Sequence, residues 1–381
     1  MSDSKDSIII LSDFEIDKSG RPMTGYSNIA TAYARKFINR FHVIAMGLSY
    51  RRVQHFEPYG ITLMPFQDSG SAIASIFNGT NKKINKVLVF LDIPMHISLF
   101  NGIGNLGLNY GGIFAVEGDP LKFDWASELI KMPKRYAISE FGKSECEKAG
   151  VKCEHLIVPI NVDLWTRRTD TEKNELKTAL GLKDKIVFFM NADSNERKNI
   201  SMHFQALQIV KEKYPNIHFI LLTRRYADTG WDYDDLIIKT KMSEHSTVLD
   251  RGMGQKEIRN FYVMSDFFLN CSKGEGLGLG LLESMAVGTP VIATNKTAMA
   301  ELISNNRGIG VEPGFTHIDV LGNTNRYYVL PEDLANVIIE NIELNQSERV
   351  ERAYQYILDR NRLFDIYSEK LVQEWADVKK E

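Results

Sequence analysis

The chain has 381 residues, too many for one ordinary domain and suited to two. With 44% hydrophobic and 25% charged residues it has the composition of a folded globular protein, and a formal net charge of −3 removes any global basic bias toward nucleic acid. The three cysteines, Cys146, Cys153 and Cys271, are scattered without metal or disulfide spacing, and the first apolar run, Ser7 to Leu11, is only strand length, so neither a signal peptide nor a membrane span is expected.

Strand and helix alternate through the first half. Ser7 to Ser12 is a predicted strand, Asp13 to Thr24 a loop and Gly25 to Asn39 a helix. Strands follow at Phe41 to Leu48, Ile61 to Phe66, Lys86 to Asp92, Ile113 to Val116, Arg135 to Ser139 and Leu156 to Pro159, with helices at Ser71 to Phe77, Phe123 to Lys131 and Glu140 to Ala149. This alternation predicts a parallel, doubly wound α/β sheet. Ligands of such sheets sit at the carboxyl ends of the strands. Gly25, with Thr24 and Ser27, lies where the first strand hands over to a helix, and either phosphate contact or plain capping would use those residues. His96 follows the apolar strand Val87 to Leu91, and a ligand-facing or a loop-packing histidine both fit there. Asn101 to Gly112, with five glycines, reads as a mobile loop. The basic pieces Arg51-Arg52, Lys82-Lys83 with Lys86, and Lys131 to Arg135 read as solvated surface.

The charged stretch Leu164 to Lys185 reads as a linker into a second domain. Ile186 to Met190 opens that domain as a strand. Arg197 and Lys198 stand at the following strand-to-helix loop, where two adjacent cations suit a diphosphate. Further strands are predicted at His218 to Thr223 and Ser246 to Leu249, and a helix at Gln255 to Met264. The Asp232-Tyr233-Asp234 string could in principle take a divalent metal, but it reads as loop surface. Asp266 to Asn270 is a short apolar strand. Ser272 to Gly278 is a loop with three glycines, and Leu279 to Val287 a helix closed by Gly288 and Pro290. The N-terminus of that helix suits a phosphate. Glu275 in the loop and Glu283 about one turn into the helix can meet hydroxyls on different parts of one ligand. Pro331 to Leu344 and Glu348 to Trp375 are terminal helices, the last with Tyr356, Leu358, Leu363, Phe364 and Tyr367 as its expected apolar face.

The stretch from Ser272 to Ile292 resembles the Glu-x7-Glu signature of retaining GT-B glycosyltransferases of family 4 (glycosyl transferases group 1). That pattern runs Ser-x-x-Glu-Gly-Phe-Gly-Leu-Pro-x-Leu-Glu-Ala-Met-Ala-x-Gly-x-Pro-Val-Ile. Ser272, Glu275, Gly276, Gly278, Leu279, Leu282, Glu283, Met285, Ala286, Gly288, Pro290, Val291 and Ile292 match it; Leu277, Gly280 and Ser284 depart from it. Ile138 to Gly142 and Val158 to Asp163 resemble further family segments, with Asn161 in place of a glycine.

The resemblance implies two Rossmann-like domains facing across a cleft: an acceptor-side domain over 1–165, a donor domain over 166–354, and a helix over about 355–381 packing back on the first. It implies a metal-independent hexosyl- or pentosyltransferase with no cofactor, fed by a UDP- or GDP-sugar. The donor would be held by Gly25, Arg197, Lys198, Arg251, Met253, Glu275, Gly276, Leu277, Gly278, Leu279 and Glu283, with the base against backbone near Arg251 to Met253. Glu275, Lys198, Arg197 and His96 would carry the catalytic roles. The family's usual phosphate-binding arginine position falls at Asp193, leaving Arg197 as the local substitute. The acceptor stays open between glycan, lipid and protein, with no nucleic acid partner. The working place is cytoplasmic, with a weak peripheral membrane contact as an option. A nucleotide-sugar epimerase or hydrolase on the same fold, or an inactive nucleotide-sugar-binding scaffold, are the alternatives. A nicotinamide-dependent Rossmann enzyme would need Gly-x-Gly-x-x-Gly directly after the first strand, and Leu11 is not followed by that spacing.

Overall fold

The computed structural model describes residues 5–14, 24–48, 54–56, 61–66, 84–103, 107–226, 230–320 and 322–378. The helix expected at 71–77 and most of the loop after the first strand lie outside them. The chain divides into two compact units, one of Met1–Val116, Leu121–Pro159 and Arg360–Glu381, the other of Glu117–Pro120 and Ile160–Asp359.

The first unit is built on β1 (Ser7–Ser12), β2 (His42–Gly47), β3 (Gln54–Phe56), β4 (Ile61–Pro65), β5 (Lys86–Phe90), β6 (Asn109–Phe114), β7 (Lys134–Ala137) and β8 (Glu154–His155). Their order across the sheet is β3-β4-β2-β1-β5-β6-β7-β8, parallel throughout except where β3 runs against β4. Continuous apolar runs such as Ile8 to Leu11 and Val87 to Phe90 suit strands covered on both faces. Helices α1 (Gly25–Phe37), α2 (Ile93–Ile103), α3 (Phe123–Leu129) and α4 (Glu140–Lys148) connect them. Thr24 and Ser139 cap α1 and α4, each accepting a backbone N–H of the first turn.

The stretch Asn101 to Gly112 is corrected by the structure. Its start ends α2 and its end forms β6. A Cβ on Gly111 would sit 2.5 Å from the Trp375 ring, and one on Gly112 would sit 3.3 Å from His96. These glycines make room for neighbours in a packed sheet, which composition alone does not distinguish from a loop.

The second unit carries β9 (Ile186–Asn191), β10 (Ile217–Thr223), β11 (Ser246–Asp250), β12 (Phe267–Asn270), β13 (Val291–Thr294) and β14 (Ile309–Val311). All six are parallel, in the order β11-β10-β9-β12-β13-β14. The chain winds outward from β9 to one edge, returns to β12 beside β9, and winds to the other edge, which is the doubly wound pattern. The helices are α5 (Asp170–Ala179), α6 (Ile200–Lys213), α7 (Tyr233–Lys239), α8 (Gln255–Met264), α9 (Leu279–Val287), α10 (Thr297–Ile303), α11 (Pro331–Asn341) and α12 (Ser347–Asp377). The expected linker at Leu164 to Lys185 instead carries α5 at its centre. Thr169 caps it, and Lys173 and Lys177 reach the Asp266 carboxylate at 2.5 and 2.9 Å, which ties it to the sheet. An antiparallel hairpin, β15 (Phe315–Ile318) with β16 (Asn325–Tyr328), has no counterpart among the expected elements.

Helix α12 begins in the second unit and ends in the first. Its buried face is Ala353, Ile357, Arg360, Phe364, Ser368, Leu371 and Trp375. Of the expected face only Phe364 is buried; Leu358, Leu363 and Tyr367 are exposed. The true stripe includes Arg360 and Ser368, which an apolar pattern passes over.

Candidate functional site

In the second sheet the winding direction reverses between β9 and β12. The crevice at the carboxyl ends of those two strands is where doubly wound folds bind ligands. Two loops leave there. One runs from Asn191 to α6 and carries Arg197 and Lys198; the other runs from Asn270 to α9 and carries Glu275.

The side chains meet. Lys198 Nζ donates to Glu275 Oε1 at 2.5 Å. Arg197 Nη1 donates to the Gly274 carbonyl at 2.5 Å and lies 3.0 Å from Glu275 Oε2. Arg197 Nη2 lies 3.0 Å from Glu117 Oε1. Burial alone would raise the Glu275 carboxyl, but Lys198 and Arg197 overturn that and hold it at about 2. Burial also pulls Lys198 below the ordinary lysine value against the attraction of Glu275. At neutral pH Glu275 is an ionised carboxylate, able to accept hydrogen bonds and unable to give a proton.

The backbone around this cluster is unusual. Asn199, directly after Lys198, is left-handed at φ 54°, and Thr297 has φ 56°. A β-branched residue there is a true outlier, and such strain gathers at functional sites. The Thr297 hydroxyl accepts the Glu275 N–H at 3.2 Å, so the strained residue fixes the carboxylate's own backbone. Gly278 has φ +93°, a conformation that opens α9 and that a side chain would oppose. His203, fully buried, bridges the two loops: one ring nitrogen pairs with the Asn199 carbonyl at 2.9 Å and the other accepts the Cys271 N–H at 3.1 Å. Burial lowers it to about 4, so it stays neutral, as that acceptor role requires.

Glu283 stands on the first turns of α9, partly covered, and receives the Tyr262 hydroxyl at 2.8 Å. Burial pushes its carboxyl up to about 7, against the lowering effect of Tyr262. Glu275 and Glu283 are thus two carboxylates in opposite electrostatic settings. Gly280, where the family pattern has proline, faces Phe268: a Cβ would sit 2.8 Å from that ring.

One expected residue, His96, is placed differently. His96 is on α2, fully buried in the first unit, with Nδ1 2.7 Å from the Tyr110 hydroxyl and Nε2 2.9 Å from the Ile113 carbonyl. Both nitrogens are taken and burial lowers it to about 4, so this histidine packs a core and does not face a ligand. Gly25 opens α1, also in the first unit. There Thr24 and Ser27 both donate to the Asp13 carboxylate, at 2.5 and 2.7 Å. Arg251 and Met253 lie in the loop after β11. Arg251 turns toward Asp193 at 3.7 Å, a carboxylate that Arg224 grips with two bonds of 2.6 Å. Asp193, where the resemblance leads to the expectation of an arginine, is thus an anion paired with Arg224, which directly follows β10. Sequence reasoning missed Arg224 and His203, and gave Glu117 no contact with Arg197. Gly276, Leu277 and Gly278 lie between Glu275 and α9, which Leu279 opens, and Leu277 is buried.

Asp232 caps α7 by accepting the Asp235 N–H, Tyr233 is buried and Asp234 pairs with Arg225. Among the described residues no group of three or more His, Cys, Asp or Glu is placed to hold a metal ion, and no helix is long and apolar enough to cross a membrane.

Residues 170–344, most of the second unit, match the family model described as Glycosyl transferases group 1. The alpha-monoglucosyldiacylglycerol synthase of Streptococcus pneumoniae is 31% identical over 163 residues, covering 41% of this chain and 36% of that one. An uncharacterized glycosyltransferase of Methanocaldococcus jannaschii is 27% identical over 209 residues, 51% of this chain and 49% of that one. The chain thus spans about half or less of the length of these curated relatives. Anabaena HepE, solved in complex with UDP and glucose, superposes with a TM-score of 0.72 at 16% identity over 96% of this chain and 98% of that one. At such identity the likeness establishes the fold: two Rossmann-like parallel-sheet units of the GT-B type.

Proposed function

We propose that this chain is a retaining glycosyltransferase that takes its sugar from a nucleotide-diphosphate donor. The observation that carries the reading is the Arg197–Lys198–Glu275 cluster at the switch point of the second sheet, beside the N-terminus of α9. Lys198, Arg197 and the first N–H groups of α9 would take the charge of the departing diphosphate. Glu275, ionised, would accept the sugar's hydroxyls and place its anomeric carbon. Glu283 would accept the ribose hydroxyls. The bond from the anomeric carbon to the diphosphate breaks, the bond to the acceptor oxygen forms on the same face, and a diphosphate oxygen takes the acceptor's proton. In this reading no residue serves as a protein base and no metal is used. The match of 170–344 to a glycosyltransferase family and the fold shared with a UDP-binding protein support it, and make UDP-sugars the first donors to try.

The test is donor turnover. The protein is incubated with a panel of UDP-, GDP- and other nucleotide sugars, and released nucleotide is measured. Release from one donor, lost in Glu275→Ala and Lys198→Ala, is expected. A chain that binds none of them, with no shift in melting temperature, would refute the reading.

The site also predicts a pH dependence. Because the Glu283 carboxyl sits at about 7, it carries a proton below neutrality and then offers fewer acceptor sites to a ribose. Affinity for a nucleotide sugar, whose diphosphate does not titrate in this range, should rise from about pH 6 to about pH 8 and then level off. Glu283→Gln should bind more weakly and lose that slope. A slope that persists in the variant assigns it to another group.

A further inference from the structure

The segment Glu117–Pro120 lies between β6 and α3 in the chain, yet it belongs to the second unit. Strand β16 holds its backbone and carboxylate there. The Asn325 N–H donates to the Asp119 carbonyl at 2.7 Å, the Arg326 guanidinium donates to the Glu117 carbonyl at 2.8 Å, and the Tyr327 hydroxyl donates to the Asp119 carboxylate at 2.5 Å. The segment also presses on the glycine loop. A Cβ on Gly274 would sit 2.1 Å from the Glu117 carbonyl oxygen, closer than any side chain permits. The signature leaves this position open, and here glycine admits the segment.

Anchored in this way, the Glu117 side chain reaches one edge of the Arg197 guanidinium at 3.0 Å, while Gly274 and Glu275 take the other edge. We infer that Glu117 is a positioning residue for the donor reaction, holding Arg197 to its single contact with Glu275 so that it can meet the diphosphate instead of closing on Glu275 with both nitrogens. The inference rests on the proposed donor chemistry and adds a residue outside the stretch that matches the family model. Its physical basis is competition. A guanidinium prefers two parallel bonds to one carboxylate. Without Glu117, the second nitrogen of Arg197 can turn onto Glu275 and complete that arrangement. Both groups then leave the positions the reaction needs, and a displacement of about 1 Å typically costs ~10²-fold in rate.

The experiment uses the full chain and the donor found in the panel. Glu117→Ala is expected to lower kcat by ~10- to 10²-fold while the melting temperature holds, since the side chain is 33% exposed. Glu117→Gln, whose amide oxygen still accepts from Arg197, should recover most of the loss. In an Arg197→Ala background, Glu117→Ala should change turnover by less than about two-fold, because the residue it acts through is gone. Gly274→Ser should reproduce the Glu117→Ala defect by displacing the segment. Wild-type turnover matched by Glu117→Ala, or losses that multiply in the double variant, would overturn the inference and leave the donor reading standing. A wild type that turns over no donor would remove the donor reading first, and this one with it.

Discussion

Glu275→Ala is expected to reduce donor turnover by ~10²–10³-fold, the usual loss when one preorganised contact to the reacting group is removed. It should also destabilise the second unit. Glu275 and Lys198 are both largely buried, with side-chain exposures of 8% and 16%. Removing one partner leaves the other charge without compensation, at about 3 kcal/mol for a buried pair. Arg197 retains Glu117 and the Gly274 carbonyl, so the cost falls mainly on Lys198. The two effects separate by pH. The folded carboxyl sits at about 2, below the ordinary glutamate value, so its contribution to stability is present above pH ~4.5 and is lost as pH falls through about 2. Glu275→Gln should therefore show a flatter acid limb than the wild type in denaturant titrations repeated from neutrality downward. A steep limb unchanged in the variant would assign the acid sensitivity elsewhere. Unimpaired turnover in both variants would remove Glu275 from the chemistry.

Trp375→Ala should be the most damaging single change in the first unit. Trp375 is fully buried near the end of α12, with its ring set against Gly111 of β6 and Leu88 of β5 lining the same gap. Lys134 lies over the ring at 5.5 Å and pairs with Glu374. Further up the helix, Arg360 donates to the Val158 carbonyl at 2.7 Å, and Phe364 meets Tyr33 edge-on at 5.1 Å. Truncating a core tryptophan costs about 3–5 kcal/mol, from lost burial and the cavity left behind. Chemical denaturation of the variant should show that loss. A complementary pair sharpens the test. Gly111→Ala alone should be strongly destabilising, since its Cβ meets the ring at 2.5 Å. In the Trp375→Ala background it should cost far less. Additive losses would show that the two residues do not share the space.

Those two sites differ in how far the chain's own letters disclose them. The glycine loop and its helix were legible: α9 was expected and found at Leu279 to Val287, and α8 at Gln255 to Met264. Glycine, proline and the apolar period act over a few neighbouring residues, and they mark such boundaries directly. Alternation of strand and helix likewise disclosed a doubly wound sheet in the first half, and the family resemblance implied the second. Trp375 was expected only as the end of a helix, and nothing local names Gly111 as its partner 264 positions away.

The candidate site shows the same division within one cluster. Arg197, Lys198 and Glu275 were each singled out from the sequence, as cations at a strand end and a carboxylate in a glycine loop. That they bond to one another, across 77 positions, follows from β12 lying beside β9. That pairing is a long-range choice, which no window of sequence contains. The same order of strands put Arg224 on Asp193, and tertiary packing buried both nitrogens of His96. The hairpin of β15 and β16 brought Glu117 to Arg197. Backbone period, capping and turn residues are local energies and were determined by the sequence alone. Which charge meets which, and which polar group is shut away from water, depends on burial, and burial exists only once the sheets have assembled.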